Sequence, residues 1–118
     1  FFFFILRDSG ILAGILQVCI VRATGLMNAD FRTLSDPYAV MTISGTRVTR
    51  TAVVPNSLDP EWNHEAKVWL LGEISDEVVA VFEVYDRDRF TRDDFLGQVW
   101  VSMMEVARAG GWSQKKKL

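Results

Sequence analysis

Side chains along this chain alternate with a period of two, in short runs broken by Gly, Pro, Asn and Asp, and that rhythm restricts the fold to strands. Leu16, Val18 and Ile20 alternate with Gln17, Cys19 and Val21, the pattern of a strand with one face in a core. Tyr38 to Ser44 follows, with Tyr38, Val40 and Thr42 on one face and Ala39, Met41 and Ile43 on the other; Gly45 and Thr46 are the expected turn. Arg47 to Val54 is a further run, stopped by Pro55. His64 to Leu71, Val78 to Tyr85 and Phe95 to Val101 come next. Phe1 to Leu6 and Trp112 to Leu118 read as edge strands. Only Met103 to Ala109 has a helical pattern, and Gly110 and Gly111 end it. Eight short, closely spaced strands predict an all-β fold, an eight-stranded antiparallel Greek-key β-sandwich.

Length and composition narrow the function. The chain has 118 residues, enough for one domain over 1–118, and its 49% hydrophobic and 24% charged residues suit a globular core. A formal net charge of −2 lacks the basic excess of a nucleic-acid binder. The apolar run Phe1 to Leu6 is far short of the about 20 residues that span a bilayer, and it lacks the basic start and cleavage site of a secretory signal. Cys19 is the single cysteine, which leaves no disulfide or cysteine-based zinc site within the chain and suits a reducing, cytoplasmic setting. His64 is the single histidine and reads as a surface residue. No Ser-His-Asp set can be assembled around it, so no enzyme is expected. Lys115, Lys116 and Lys117 read as a solvated edge or tail.

The carboxylates are concentrated where strands end. Asp30 and Asp36 flank one turn; Asp86, Asp88, Asp93 and Asp94 flank another. Two such loops at one end of a sandwich bring like charges together, which raises pKa values and destabilises the empty site. Asp86 and Asp88, two apart at a strand end, are expected to point the same way. An all-oxygen group of this kind suits calcium, which takes 6–8 oxygen ligands; magnesium prefers fewer protein ligands and tighter geometry. With no His or Cys in the group, zinc, copper and iron are poor candidates. The EF-hand spacing is absent. Any one Asp in a turn is most simply a cap for neighbouring amides; the whole set at these spacings is not.

The residues Leu16 to Leu26, Leu34-Ser35-Asp36-Pro37-Tyr38, Asn56 to Asn63, Val84 to Asp88 and Asp93 to Gly97 together resemble a C2 domain of the calcium-binding kind, like those of synaptotagmin and protein kinase C, over about residues 14–113. That resemblance implies two or three calcium ions held between loops at one end of the sandwich. By motif the ligands fall on Asp30, Asp36, Asp86, Asp88 and Asp94, with the main-chain carbonyls of Ala29 and Arg87 as further ligands. Asp93, beside the last ligand, is expected to be solvated or capping. Asn56, Pro60, Trp62 and Asn63 are read as structural. The last run resembles the seventh shared strand, so the eighth is expected from Phe1 to Leu6, the variant in which the extra strand comes first.

The resemblance also implies a function. Protein oxygens leave part of the calcium coordination for lipid, so the module is expected to bind anionic phospholipid (phosphatidylserine, with phosphoinositide as a further candidate) and to be cytoplasmic and peripheral to the membrane when calcium is bound. Phe31, Arg89, Phe90 and Arg92 are the expected membrane contacts. Arg47 and Arg50 fall where the family often carries a phosphoinositide groove; with two basic residues, an ordinary solvated face is the better reading. The alternatives are a calcium-independent protein-interaction domain and a regulatory module of a larger lipid-signalling enzyme, whose other domains would be partners.

Overall fold

The computed structural model describes residues 3–28, 33–109 and 113–117. Eight strands and one helix follow in the order β1 (Phe3–Leu12), β2 (Ile15–Thr24), β3 (Pro37–Ile43), β4 (Thr46–Arg50), β5 (Glu61–Trp69), β6 (Val79–Asp86), β7 (Asp94–Ser102), α1 (Met103–Ala109) and β8 (Ser113–Lys117). Two four-stranded sheets have the orders β5-β2-β1-β8 and β4-β3-β6-β7. Every strand pairing is antiparallel. The expected sandwich is present, and its additional strand is β1, inserted between β2 and β8.

The inward positions of the alternating runs make the core: Leu16, Val18 and Ile20 of β2 face Ala39 and Met41 of β3, Ala80, Phe82 and Val84 of β6, and Leu96, Val99 and Val101 of β7. From β1, Phe4 is fully buried; its ring lies 5.8 Å from Phe82 and 6.0 Å from Trp62. Met103 and Val106 of α1 complete the core beside β1 and β7.

Several boundaries differ from the sequence-based expectation, each for a local reason. β1 runs past Leu6 to Leu12, absorbing irregularities at Ile5/Leu6 and at Asp8/Gly10; the Asp8 carboxylate accepts the Gly10 N–H at 2.9 Å. It turns into β2 through Ala13 and Gly14, both at positive φ, a two-residue turn that more often carries Asn-Gly. The β3–β4 turn is Ser44-Gly45, one residue earlier than expected, again with both residues at positive φ. β4 stops at Arg50 because the Thr51 hydroxyl, not a backbone carbonyl, accepts the Ala39 N–H at 2.9 Å. β5 starts at Glu61, with Asn63 at φ 46 in the irregularity opposite Ile20 and Arg22. Trp62 is half-buried and its indole N–H donates to the Pro37 carbonyl at 3.2 Å, the structural role expected of it.

His64 is half-buried rather than on the surface. Its Nε2 lies 2.7 Å from the Thr49 hydroxyl, a contact between the edge strands β5 and β4 of the two sheets. Lys115, Lys116 and Lys117 occupy the edge strand β8, opposite Ile5, Phe4 and Phe3. Phe3 is in turn opposite Thr24, the last residue of β2, so this part of β8 lies at the end of the sandwich from which the β2–β3 loop departs.

Candidate metal centre

Strand register assembles the acidic end. Pro37, the first residue of β3, pairs with Asp86, the last of β6, and Asp86 pairs with Asp94, the first of β7. Asp36 immediately precedes β3, so Asp36, Asp86 and Asp94 occupy adjacent positions at one sheet end. Two hydrogen bonds donated by main-chain N–H groups fix this arrangement: the Asp36 N–H donates to Asp86 Oδ1 at 2.8 Å, and the Arg87 N–H donates to the Asp36 carbonyl at 3.1 Å. The Asn56 N–H donates to Asp36 Oδ1 at 2.8 Å. Asn56 sits at φ 52, a conformation Asn tolerates better than most residues. Beyond the structural role expected of it, Asn56 thus orients a candidate ligand.

The electrostatics follow from burial. Asp86 is 6% exposed. Burial pushes its carboxyl above the usual range; the Asp36 N–H pulls it back, and the negative charges of Asp36 and Asp94 push it up again. A buried carboxylate with two others at neighbouring sheet positions, all of them oxygen donors, suits a hard cation such as calcium. Among the described residues, no three Asp, Glu, His or Cys side chains converge closely enough to form a cage by themselves. Asp30 and the carbonyl of Ala29, as well as Phe31, lie outside the described residues.

Asp88 departs from expectation. β6 ends at Asp86, so strand alternation does not extend to Asp88. Its side chain instead turns into its own loop: Oδ1 accepts the N–H groups of Phe90 at 2.9 Å and Thr91 at 3.3 Å, and Oδ2 accepts the Thr91 hydroxyl at 2.8 Å. Those bonds, the Phe90 N–H first, hold its carboxyl below the usual range. Asp93 is half-buried and capping: it accepts the Asp88 N–H at 2.9 Å through Oδ1 and the Tyr38 hydroxyl through Oδ2. Burial and that bond push the Tyr38 phenol up to about 12.

At the apex of the same loop Phe90 is 93% exposed, and Arg87, Arg89 and Arg92 around it are exposed. Met27 and Leu34, in the β2–β3 loop, are also exposed apolar residues; the sequence pattern does not single them out because neither breaks a polar run. Arg47 and Arg50 are exposed on β4. Arg50 lies over the Tyr38 ring, 5.0 Å from its centroid, and Tyr38 stacks on Tyr85 at 5.8 Å. On the same sheet Glu83 stands across Val40 from Arg50 and accepts the Tyr85 hydroxyl at 2.8 Å. A carboxylate there weakens the attraction of this face for a phosphate.

Two four-stranded antiparallel sheets of these strand orders, with acidic residues and an exposed aromatic side chain at one loop end, define a small all-β sandwich module. The sequence model of the C2 domain matches residues 14–118, and the chain belongs to that family. It is 39% identical over 93 residues to Multiple C2 and transmembrane domain-containing protein 1 of Rattus norvegicus, covering 79% of this chain and 9% of that protein. It is 32% identical over 102 residues to tricalbin-3 of Saccharomyces cerevisiae, covering 85% of this chain and 6% of that protein. The chain thus spans less than a tenth of the length of either relative. Among solved structures, a C2 domain of Drosophila RIM superposes with a TM-score of 0.79 at 18% identity, covering 98% of both chains. A C2 domain of plant extended synaptotagmin 1 superposes with a TM-score of 0.70 at 29% identity, covering 84% of this chain and 72% of that one.

Proposed function

We propose that this domain is a calcium-dependent phospholipid-binding module that docks on anionic membranes by its acidic loop end, without catalysis of its own. The observation that carries the reading is the register-enforced grouping of Asp36, Asp86 and Asp94, with Asp86 buried although its neighbours are also acidic. Asp30, Asp88 and the carbonyls of Ala29 and Arg87 complete the proposed ligand set. Calcium, when bound, supplies the positive charge that bridges these carboxylates to a lipid phosphate or carboxylate. Two divalent ions are enough to reverse the formal net charge of −2. An anionic leaflet attracts each basic charge near its surface by about 1 kcal/mol, and Arg89 and Arg92 add to that attraction. Phe90 and Phe31 enter the bilayer between them.

Relatives named for transmembrane domains, and a calcium-bound structure of extended synaptotagmin 2 with a TM-score of 0.71 at 23% identity, are compatible with a membrane role. We place the domain in the cytoplasm, peripheral to the membrane when calcium is bound. Among the described residues, no helix is long and apolar enough to cross a membrane. The test is co-sedimentation with liposomes, neutral or containing phosphatidylserine, with calcium or with a chelator. Binding only with calcium and anionic lipid is the expected result. Equal binding with chelator refutes the calcium dependence, and no binding to either liposome favours a protein-interaction role.

A further inference from the structure

We infer that Asp93 is a positioning residue for the metal centre, clamping the Asp88 main chain to the sheet through Tyr38; this rests on the calcium reading above. Asp88 lies in an exposed loop, beyond the last paired residue of β6. Among the described residues, its carboxylate holds only groups of its own loop, the Phe90 and Thr91 N–H groups and the Thr91 hydroxyl. What ties this part of the loop to the rigid sheet is Asp93: one carboxylate oxygen accepts the Asp88 N–H at 2.9 Å, and the other accepts the Tyr38 hydroxyl.

Tyr38 is a firm anchor. It is 7% exposed, stacks on Tyr85 and lies beneath the Arg50 guanidinium. A chain of contacts therefore runs from Arg50 through Tyr38 and Asp93 to Asp88. A metal ligand on a loop costs ordering entropy when the ion binds, and an anchor that orders the loop beforehand reduces that cost. Asp93 acts in this way without contributing a ligand atom. Its charge alone would also attract a cation, so the test has to separate geometry from charge.

Asp93→Asn makes that separation. Its carbonyl oxygen accepts the Asp88 N–H and its amide N–H donates to the Tyr38 oxygen, so both links persist without the charge. Asp93→Ala removes both links, and Tyr38→Phe removes the anchor alone. Calcium affinity is measured by titration calorimetry without lipid, and exchange of the Asp88 amide by NMR in calcium-free protein. Asp93→Ala is expected to bind calcium about tenfold more weakly, the size of one lost hydrogen bond to a charged acceptor, with faster exchange at Asp88. Asp93→Asn is expected to stay within about threefold of the unmodified domain, with exchange unchanged, and Tyr38→Phe to fall between. Equal losses in Asp93→Asn and Asp93→Ala overturn positioning in favour of charge. Undiminished affinity in Asp93→Ala overturns the clamp. Absence of calcium binding by the unmodified domain overturns the reading on which the inference rests, and Asp88 exchange then reports the clamp independently.

Discussion

Replacing Phe90 by alanine removes a ring that is 93% exposed at the apex of the β6–β7 loop, so the free domain loses almost no packing. The link that Phe90 makes within the loop is its main-chain N–H to Asp88 Oδ1 at 2.9 Å, which alanine keeps. The stability change of the free domain is therefore expected within about 0.5 kcal/mol, as for other surface substitutions. On a membrane the balance differs. Full burial of a Phe side chain is worth about 1.5–3 kcal/mol, and nearly all of this ring is available for it. At 1.4 kcal/mol per decade this corresponds to a roughly ten- to hundredfold loss of affinity for anionic liposomes. Arg89 and Arg92, with long apolar stems and charged heads, are expected to hold the loop at headgroup depth. The assay is a calcium-saturated titration with phosphatidylserine-containing liposomes, beside a thermal melt and a calcium titration without lipid. Unchanged liposome affinity in Phe90→Ala refutes insertion and leaves calcium bridging and the arginines as the attachment. A markedly lower melting temperature shows that the ring packs against the loop.

Calcium at about 100 times its dissociation constant is expected to stabilise the domain by roughly 2.7 kcal/mol, and magnesium by much less; differential scanning calorimetry with each ion checks this. Asp86→Asn keeps an acceptor for the Asp36 N–H but removes a buried charge. Because the folded Asp86 carboxyl titrates above its usual range, its favourable contribution exists only at acid pH and is lost as pH rises through that raised value. The variant should thus be at least as stable as the parent at neutral pH without calcium, with the difference shrinking on acidification, as melts across pH 4–7 would show. Combined with Asp88→Asn it should abolish calorimetric calcium binding while the domain stays folded. Thr51→Val deletes the hydroxyl that accepts the buried Ala39 N–H and should cost about 1–3 kcal/mol in urea unfolding.

The sequence pattern locates the central strands well: β2, β6 and β7, with alternating burial, and β3, buried on both faces over Pro37 to Met41, coincide closely with the predicted runs. The pattern ends β1 too early because Ser9-Gly10 looks like a break and Ala13-Gly14 is not a usual turn pair, although pairing with β2 carries the strand on to Leu12, beyond the last β8 partner at Arg7. Of the site, the grouping of Asp36, Asp86 and Asp94 is legible, since strand ends in one sandwich converge. The inward turn of Asp88 is not. It depends on the strand stopping at Asp86 and on Thr91 offering a hydroxyl, which spacing does not encode. The link from Asp93 to Tyr38 is hidden for another reason: 55 residues separate them, and only the β3–β6–β7 register brings them together.

The strand topology sets the reach of anything joined to this domain. β1 starts and β8 ends at the same end of the sandwich as the acidic loops, because Phe3 is opposite both Thr24 and Lys117. With the acidic loops docked on a bilayer as proposed, a segment continuing from either strand would leave on the membrane side of the sandwich rather than from the far side. A short tether is then sufficient to hold an attached group against the lipid surface at high effective concentration. On the proposed docking mode the domain would serve as a low-slung anchor, and lengthening such a tether would dilute the attached group away from the membrane.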